Sequence, residues 1–217
     1  KQALGQVNPS VTVERSVVTS NASKQAVEAT LSTKWQAVRK PVVDELVDAW
    51  AAAPPKYIGF HAKELAKAGT PTGGLWDFGM NPGNYTGVSP RLRQAASAYK
   101  AEQNEILRVA RTQYGVDIAP YPVPEGGFFV PNMKSRELME EAVDKHAMST
   151  SSGIGTKFGP AKPRLYESAV ARMAHDPQFI PETNIKLLAE LHDEAVARLA
   201  GNETFKLGAG GKTYLEV

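Results

Sequence analysis

The sequence predicts a mainly α-helical fold: a multi-helix, bundle-like array joined by long loops rich in Gly, Pro and aromatic residues, with at most minor β structure. Apolar residues recur at steps of three and four in several segments, the spacing of helices that bury one face. Residues typical of helix starts and ends flank these segments. Composition that suits a strand is confined to short stretches near 11–18, 116–118 and 128–130.

Composition narrows the class of protein. The 217 residues are 42% hydrophobic and 22% charged, as in an ordinary globular protein. A formal net charge of +2, with acids interleaved among the basic residues, does not indicate a nucleic-acid partner. Without Cys, the chain has no disulfide, thiolate metal site or cysteine nucleophile. We expect no transmembrane segment and no secretion by a signal peptide, because no apolar run reaches roughly 20 residues and no signal-peptide pattern is present.

Residues 1–20 are predicted to form an extended arm and residues 21–205 a helical domain. The arm contains β-branched residues among Thr, Ser and Asn, which suit a strand better than a helix. These are Val11, Val13, Val17 and Val18. Asn21 or Ser23 would cap the first helix. The apolar stripe of this helix comprises Val27, Leu31, Trp35 and Val38.

Pro41 interrupts this stripe, so the region contains either two helices or one long kinked helix. The stripe after Pro41 ends before Pro54-Pro55 and comprises Val43, Leu46, Val47 and Trp50. A short helix is expected around 61–67. Residues 69–89 are rich in Gly and Pro yet contain aromatic side chains, which predicts an ordered loop packed on the core or on a partner.

Ser89-Pro90 marks the start of the longest predicted helix, which Gly115 ends. Dense prolines in 120–131 forbid a helix and admit at most an edge strand. A helix over 135–148 and a flexible loop over 149–163 follow.

Two amphipathic helices are predicted after Pro163, and the second opens at 181–184. Its predicted inward face comprises Ile185, Leu188, Leu191, Ala195 and Leu199. Residues 206–217 are expected to be a Gly-rich connection to a further C-terminal part, because of the run from Gly208 to Gly211. The chain begins at Lys1 and not at Met, so we expect a fragment, a processed product or the ordered part of a larger protein. The side chains expected to be buried are Leu31, Trp35, Leu46, Trp50, Leu107, Leu188 and Leu191.

No residue pattern indicates a catalytic, cofactor-binding or metal site, and we expect no cofactor. The glycine run at 153–159 lacks the Lys-Ser/Thr pair that directly follows the last Gly of a phosphate-binding loop. The histidines lack the paired spacing of a zinc site, so hydrogen-bonded or solvated roles are expected. Helix acids such as Asp44, Glu190 and Asp193 are predicted to lie on solvated faces.

Aromatic residues outside the predicted helices are the candidates for partner binding, with packing across the helices as the alternative. They are Trp76, Phe78, Tyr85, Tyr121, Phe128 and Phe129. Basic residues in and just after the predicted flexible loop are candidates for phosphate contact, with a solvated loop as the alternative. They are Lys157, Lys162 and Arg164.

Two segments resemble the very large polyvalent proteins of tailed phages and mobile elements. In residues 90–133 a long helix containing YKAEQNEILRVARTQYGVDI runs into the turn APYPVPEGGFFVP. Residues 157–205 are similar to a later segment through the Arg164-Leu165-Tyr166-Glu167-Ser168 opening, the Pro-Glu-Thr-Asn-Ile turn and the ending at Phe205. The family pattern has Phe-Pro-Arg where this chain has Tyr121-Pro122-Val123. Any role of the family's Arg therefore does not carry over to this chain.

The resemblance implies a helical, non-catalytic structural or interaction segment of an internal virion protein of the DNA-ejection type. Its expected location is the virion interior or the host bacterial cytoplasm. Expected partners are other virion proteins, further domains of the same chain, or a second copy.

A second hypothesis is a helical accessory domain of a phage or plasmid enzyme that contacts nucleic acid through the 149–164 loop and the helix from Arg91 to Arg111. A third is a cell-wall hydrolase that uses acids such as Glu125 or Glu182.

Overall fold

A computed structural model describes residues 9–59, 74–121, 123–131, 175 and 182–208. The fold is mainly α-helical with one small antiparallel sheet, which confirms the predicted fold class. The helices are α1 (Pro9–Ala52), α2 (Leu75–Met80), α3 (Pro90–Tyr114) and α4 (Ile185–Gly208), with a 3-10 turn at Pro82–Asn84. Strand β1 (Lys56–Tyr57) pairs with strand β2 (Tyr85–Thr86), and Tyr57 lies opposite Tyr85.

Helix α1 is a single helix of 44 residues that contains Pro41. It begins at Pro9, so the extended arm, the strand near 11–18 and the caps at Asn21 or Ser23 were wrong predictions for the described residues. Valine in a helix costs only a few tenths of a kcal/mol relative to better formers, and each residue added to an existing helix gains a backbone hydrogen bond. Ala37 and Pro41 are both exposed, so water can replace the bond that proline removes.

Helix α3 has the ends that the sequence predicts. The Ser89 side chain accepts a hydrogen bond from the backbone N–H of Leu92 at 3.1 Å, and Pro90 occupies the first turn. Gly115 adopts the left-handed conformation with φ 70°, which an L side chain rarely takes. Its N–H donates to the carbonyls of Ala110 and Arg111, so the helix ends there.

Helices α1, α3 and α4 contact one another and form a three-helix bundle. Lys186 pairs with Asp44 and Gly208 lies against Ser20, so α4 runs antiparallel to α1. Arg91 pairs with Glu45, and the other end of α3 packs near Leu31, so α3 also runs antiparallel to α1. Helices α3 and α4 are therefore parallel, and the chain between them must cross back along the bundle.

Residues 115–131, which we call the return segment, make the described part of that crossing. Val116 donates its N–H to Ala110 at the end of α3, whereas Phe129 lies beside Gln103, further back along the helix. The sequence admits at most single strands near 116–118 and 128–130, and the structure has none there. Backbone groups in these stretches bond to a helix carbonyl, a side chain or the carbonyl of Gly79 and form no ladder.

The buried side chains form two apolar clusters at different levels of the bundle. The aromatic cluster joins one end of α1, α3 and α4 to α2 and the small sheet, and includes Trp76, Phe78, Tyr85 and Phe128. The second cluster lies towards the other end and includes Leu31, Trp35, Leu107 and Val196.

Most of the side chains expected to be buried lie in these clusters. Leu31, Trp35, Leu46, Leu107 and Leu188 are buried, as predicted. Trp50 and Leu191 are only half-buried.

The predicted inward face of α4 is rotated. Leu191, Ala195 and Leu199 are half-buried, whereas the next positions along the helix are buried. These buried positions include Ala189, His192, Asp193, Val196, Ala197 and Ala200. Helix α4 continues to Gly208, so the predicted C-terminal connection is helical over residues 206–208.

Several predicted elements lie outside the described residues. They are the helices around 61–67, 135–148 and 166–173, the flexible loop 149–163, and residues 209–217. Within the described part of the chain, no helix is both long and apolar enough to span a membrane.

Candidate functional site

A layer of polar side chains crosses the bundle between the two apolar clusters. Each of the three long helices contributes to it, together with the return segment. The central polar layer comprises Arg39, Tyr99, Gln103, Tyr121, Phe129, His192 and Asp193. Arg39, Gln103, His192 and Asp193 are all buried, the unusual state for such residues.

Arg39 is the positive charge of the layer. Its Nη1 donates to Oδ1 of Asp193 and lies 3.0 Å from Nδ1 of His192. The guanidinium carbon lies 4.7 Å from the centre of the Tyr99 ring, the geometry of a cation–π contact. The side chains of Arg39 and Asp193 are only 2% and 1% exposed. Removing either partner would therefore leave an uncompensated charge in the core, at a cost of about 3–5 kcal/mol.

His192 lies between a fixed cation and a carboxylate. Nδ1 is 3.0 Å from both Arg39 Nη1 and Asp193 Oδ1. In one neutral tautomer Nδ1 accepts from Arg39, and in the other it donates to Asp193. Burial lowers the pKa of His192 from its usual 6.5, and the neighbouring Arg39 charge adds to this, although the Asp193 carboxylate acts in the opposite direction. The imidazole is therefore neutral near pH 7.

The return segment joins the layer through Tyr121 and Phe129. The hydroxyl of Tyr121 lies 3.0 Å from Nε2 of His192, and its ring stacks on Phe129 with centroids 3.6 Å apart. The Gln103 amide donates to the Phe129 carbonyl at 2.8 Å and accepts from the Phe129 N–H at 3.1 Å. These bonds fix the backbone of the return segment to α3 and its Tyr121 side chain to α4.

The order Tyr121, His192, Asp193 has the connectivity of a nucleophile, a base and an orienting acid. Two features distinguish the arrangement from three isolated groups. Asp193 Oδ1 also accepts from Arg39, so the carboxylate is paired with a fixed cation. His192 and Asp193 are 3% and 1% exposed, whereas Tyr121 is half-buried. The layer connects four parts of the chain.

Four of the six aromatic residues proposed for partner binding are buried in the aromatic cluster. Trp76, Phe78, Tyr85 and Phe128 are between 0% and 6% exposed, as expected for packing across the helices. Phe78 makes edge contacts with Tyr85 and Phe128 at centroid distances of 5.4 and 6.3 Å. Tyr121 and Phe129 are half-buried and belong to the central polar layer.

Tyr85 and Asp77 form a smaller polar contact within the aromatic cluster. The Tyr85 hydroxyl donates to Asp77 Oδ2 at 3.0 Å, and the Asn81 amide donates to Oδ1 at 2.9 Å. Burial, with the nearby Asp77 charge, raises the pKa of Tyr85, so the hydroxyl stays protonated and keeps donating.

The arginines of α3, which the second hypothesis assigns to nucleic-acid contact, each donate hydrogen bonds to acceptors within the chain. Arg91 donates to both carboxylate oxygens of Glu45, and Arg108 donates to both of Glu105. Arg93 and Arg111 donate to the backbone carbonyls of Val88 and Leu107. The predicted phosphate contacts at Lys157, Lys162 and Arg164 lie outside the described residues.

Among the described acids and histidines singled out in the sequence, His192 and Asp193 meet in the central polar layer. Glu125 is exposed, and Glu182 accepts from the backbone N–H of Asn184. Within residues 9–59, 74–121, 123–131 and 182–208, no three His, Asp or Glu side chains are grouped to hold a metal ion. His175 is exposed, and His61 and His146 lie outside the described part.

The prediction that Asp193 lies on a solvated helix face was wrong. Asp193 is buried because it meets Arg39, which itself occupies the inward position that the sequence assigned to Val38. Val38 is 50% exposed. The sequence does contain a sign of the layer. Leu31, Trp35 and Val43 lie on one helix face at multiples of four residues, and Arg39 is the polar residue that occupies the remaining position of that series.

No family model, no curated protein and no solved structure matches this chain.

Proposed function

We propose that this chain is a non-catalytic structural and interaction segment of a large phage internal virion protein of the DNA-ejection type. The observation that supports a non-catalytic role is the central polar layer. Arg39, His192 and Asp193 bond to one another at 1–3% exposure, and the pairing of Arg39 with Asp193 ties α1 to α4. The resemblance to polyvalent phage proteins supports the phage part.

The dimensions of α1 support a structural role. At about 1.5 Å per residue, 44 residues give a helix of about 66 Å, nearly twice the length of α3 or α4. Helix α1 extends beyond the end of α4, since Ser20 already lies against Gly208, the last residue of α4. Among the described elements, α3 and α4 pack along only part of α1, an arrangement suited to connecting one packed region to another.

Mass spectrometry of peptides tests the proposal directly. Phage particles from the source material would be purified and compared with the soluble lysate. We expect peptides of this chain in the particles, together with peptides that extend past Lys1 and Val217. Peptides confined to the soluble fraction would overturn the virion assignment and favour an intracellular accessory domain.

Two further assays separate the proposal from its alternatives. A gel shift at low salt with DNA and RNA should show no binding, because the described arginines of α3 are held by protein acceptors. A shift that weakens on Arg91→Ala or Arg93→Ala would favour the nucleic-acid alternative. A peptidoglycan-clearing assay should be negative, and clearing lost in Glu125→Gln or Glu182→Gln would favour the hydrolase.

A further inference from the structure

Only one of the three Arg39 nitrogens has a hydrogen-bond partner in the chain. Nη1 donates to Asp193 and lies 3.0 Å from Nδ1 of His192, whereas Nε and Nη2 are buried and make no hydrogen bond. The Arg39 side chain is 2% exposed, so bulk solvent does not hydrate these donors. A buried N–H group without an acceptor carries the full cost of its lost hydration, and a charged one carries more. The Nε–Nη2 edge therefore requires an acceptor.

The charges of the central polar layer indicate which kind of acceptor fits. Nε and Nη2 present their N–H groups on one edge of the guanidinium, the fork that often binds carboxylate or phosphate. An anion there would leave the layer with a net negative charge, because Asp193 already balances Arg39 and His192 is neutral. A neutral acceptor keeps the balance. Arg39, His192 and Asp193 are 1–3% exposed, which favours a small molecule.

Tyr99 of α3 supplies a second polar group beside this edge. The guanidinium carbon of Arg39 lies 4.7 Å from the centre of the Tyr99 ring, and Tyr99 is 2% exposed. Burial raises the pKa of Tyr99, and the neighbouring Arg39 and Gln103 side chains act in the opposite direction, so the phenol stays protonated near pH 7. Nε and Nη2 nevertheless make no direct bond to its hydroxyl. Buried polar groups that are neighbours without bonding directly are a common setting for a bridging water.

We propose that the Nε–Nη2 edge of Arg39 binds an internal water molecule, which bridges it to the Tyr99 hydroxyl. The water accepts from Nε and Nη2 and donates to the Tyr99 oxygen, so it has the two to four polar partners that internal waters typically have. It joins α1 to α3, as the pair of Arg39 with Asp193 joins α1 to α4. This inference concerns the core of the bundle and does not depend on the proposed virion role.

Proton NMR of the full chain tests the site through the Hε proton of Arg39. A water molecule held beside Nε gives a dipolar cross-peak between Hε and the water resonance. Comparison of laboratory-frame with rotating-frame spectra separates this contact from chemical exchange. We expect the contact cross-peak at pH 7, and an observed Hε signal without it would overturn the proposal.

The competing arrangement is a side-on ion pair, in which both Asp193 oxygens accept from Nε and Nη2. It would give scalar coupling across the hydrogen bond between Arg39 Nε and the Asp193 carboxylate, without the water cross-peak. That result would overturn the proposal, because Asp193 would then occupy the edge assigned to water.

Oxygen-17 relaxation dispersion makes the test specific, because it counts long-lived internal waters. Tyr99→Phe removes the hydroxyl and keeps the ring beside Arg39, so we expect the count to fall by about one. Tyr114→Phe is the matched control, since Tyr114 is half-buried on the same helix and packs on the second cluster. An unchanged count in Tyr99→Phe, or an equal fall in Tyr114→Phe, would overturn the proposal. If Tyr99→Phe does not fold, the cross-peak in the native chain decides.

Discussion

Arg39 and Arg91 each join α1 to another long helix, but they do so in opposite environments. Arg39 of α1 meets Asp193 of α4 with both side chains nearly inaccessible, whereas Arg91 of α3 meets Glu45 of α1 with both about half exposed. Water screens the exposed pair and can replace either partner, whereas nothing can replace a buried partner. The same pairing chemistry therefore fixes α4 in register at the buried site and adds little to stability at the exposed site.

The largest effect should come from breaking the buried pair. Asp193→Ala leaves the Arg39 charge in the core, so we expect the free energy of unfolding to fall by about 3–5 kcal/mol in urea denaturation followed by circular dichroism. The double variant Arg39→Met/Asp193→Leu removes both charges and should recover most of that loss. A loss below about 1 kcal/mol for Asp193→Ala would show that the pair is solvated.

Gln103 is a third case beside the two arginines, because it is buried and polar but uncharged. Gln103→Ala removes both hydrogen bonds to the Phe129 backbone, so we expect a loss of about 1–3 kcal/mol in the same measurement. Gln94→Ala is the matched control, since Gln94 is exposed on the same helix. Equal losses for the two variants would contradict a special role for the layer.

The buried and the exposed site should lose their contributions to stability in different pH ranges. The pKa of His192 is lowered from 6.5 in the folded chain, so the unfolded chain takes up the proton first on acidification. The stability that this group contributes is therefore present above about pH 6.5 and is lost as pH falls towards the lowered pKa, by at most about 1.4 kcal/mol per pH unit. His192→Gln should flatten the curve of unfolding free energy against pH in this range.

Glu45 titrates in a lower range. Its hydrogen bond with Arg91 lowers the pKa of Glu45 from 4.5, so its contribution is lost only as pH falls below about 4.5. A slope between pH 5 and 6.5 that persists in His192→Gln would have to come from another group.

The smallest effect should come from the exposed pair. Arg91→Ala removes a bond whose partners are 52% and 48% exposed, so we expect an unfolding midpoint within measurement error of the native chain. Added salt should leave that comparison unchanged. A clear loss of stability would mean that Arg91 contributes through packing of its alkyl chain against α1.

Local chemistry made some of the fold predictable. Ser89, Pro90 and Gly115 satisfy or end backbone hydrogen bonds within a few residues of themselves, so both ends of α3 followed from sequence. The start of α1 did not, because the propensity of valine for strands is weak beside continuation of a helix. The sequence left the loop aromatics open to both packing across the helices and partner binding, since apolar rings suit both roles.

The central polar layer could not be predicted because it depends on a match between distant residues. Arg39 and Asp193 are separated by 154 positions, and each alone is a charged residue on a helix. The hydrophobic pattern assigns such residues to the surface, which shifted the predicted faces towards Val38 and Leu191. Only the pairing makes their burial tolerable, and no local pattern reports a pairing across the bundle.

The parallel arrangement of α3 and α4 has a consequence for the order of assembly during synthesis. Helices α1 and α3 leave the ribosome well before α4, since chain growth of about 5–20 residues per second separates Tyr114 from Gly208 by several seconds. Throughout that interval α1 can pair with α3 but not with α4. Arg39 therefore lacks its Asp193 partner until α4 docks, so the buried ion pair forms late in assembly.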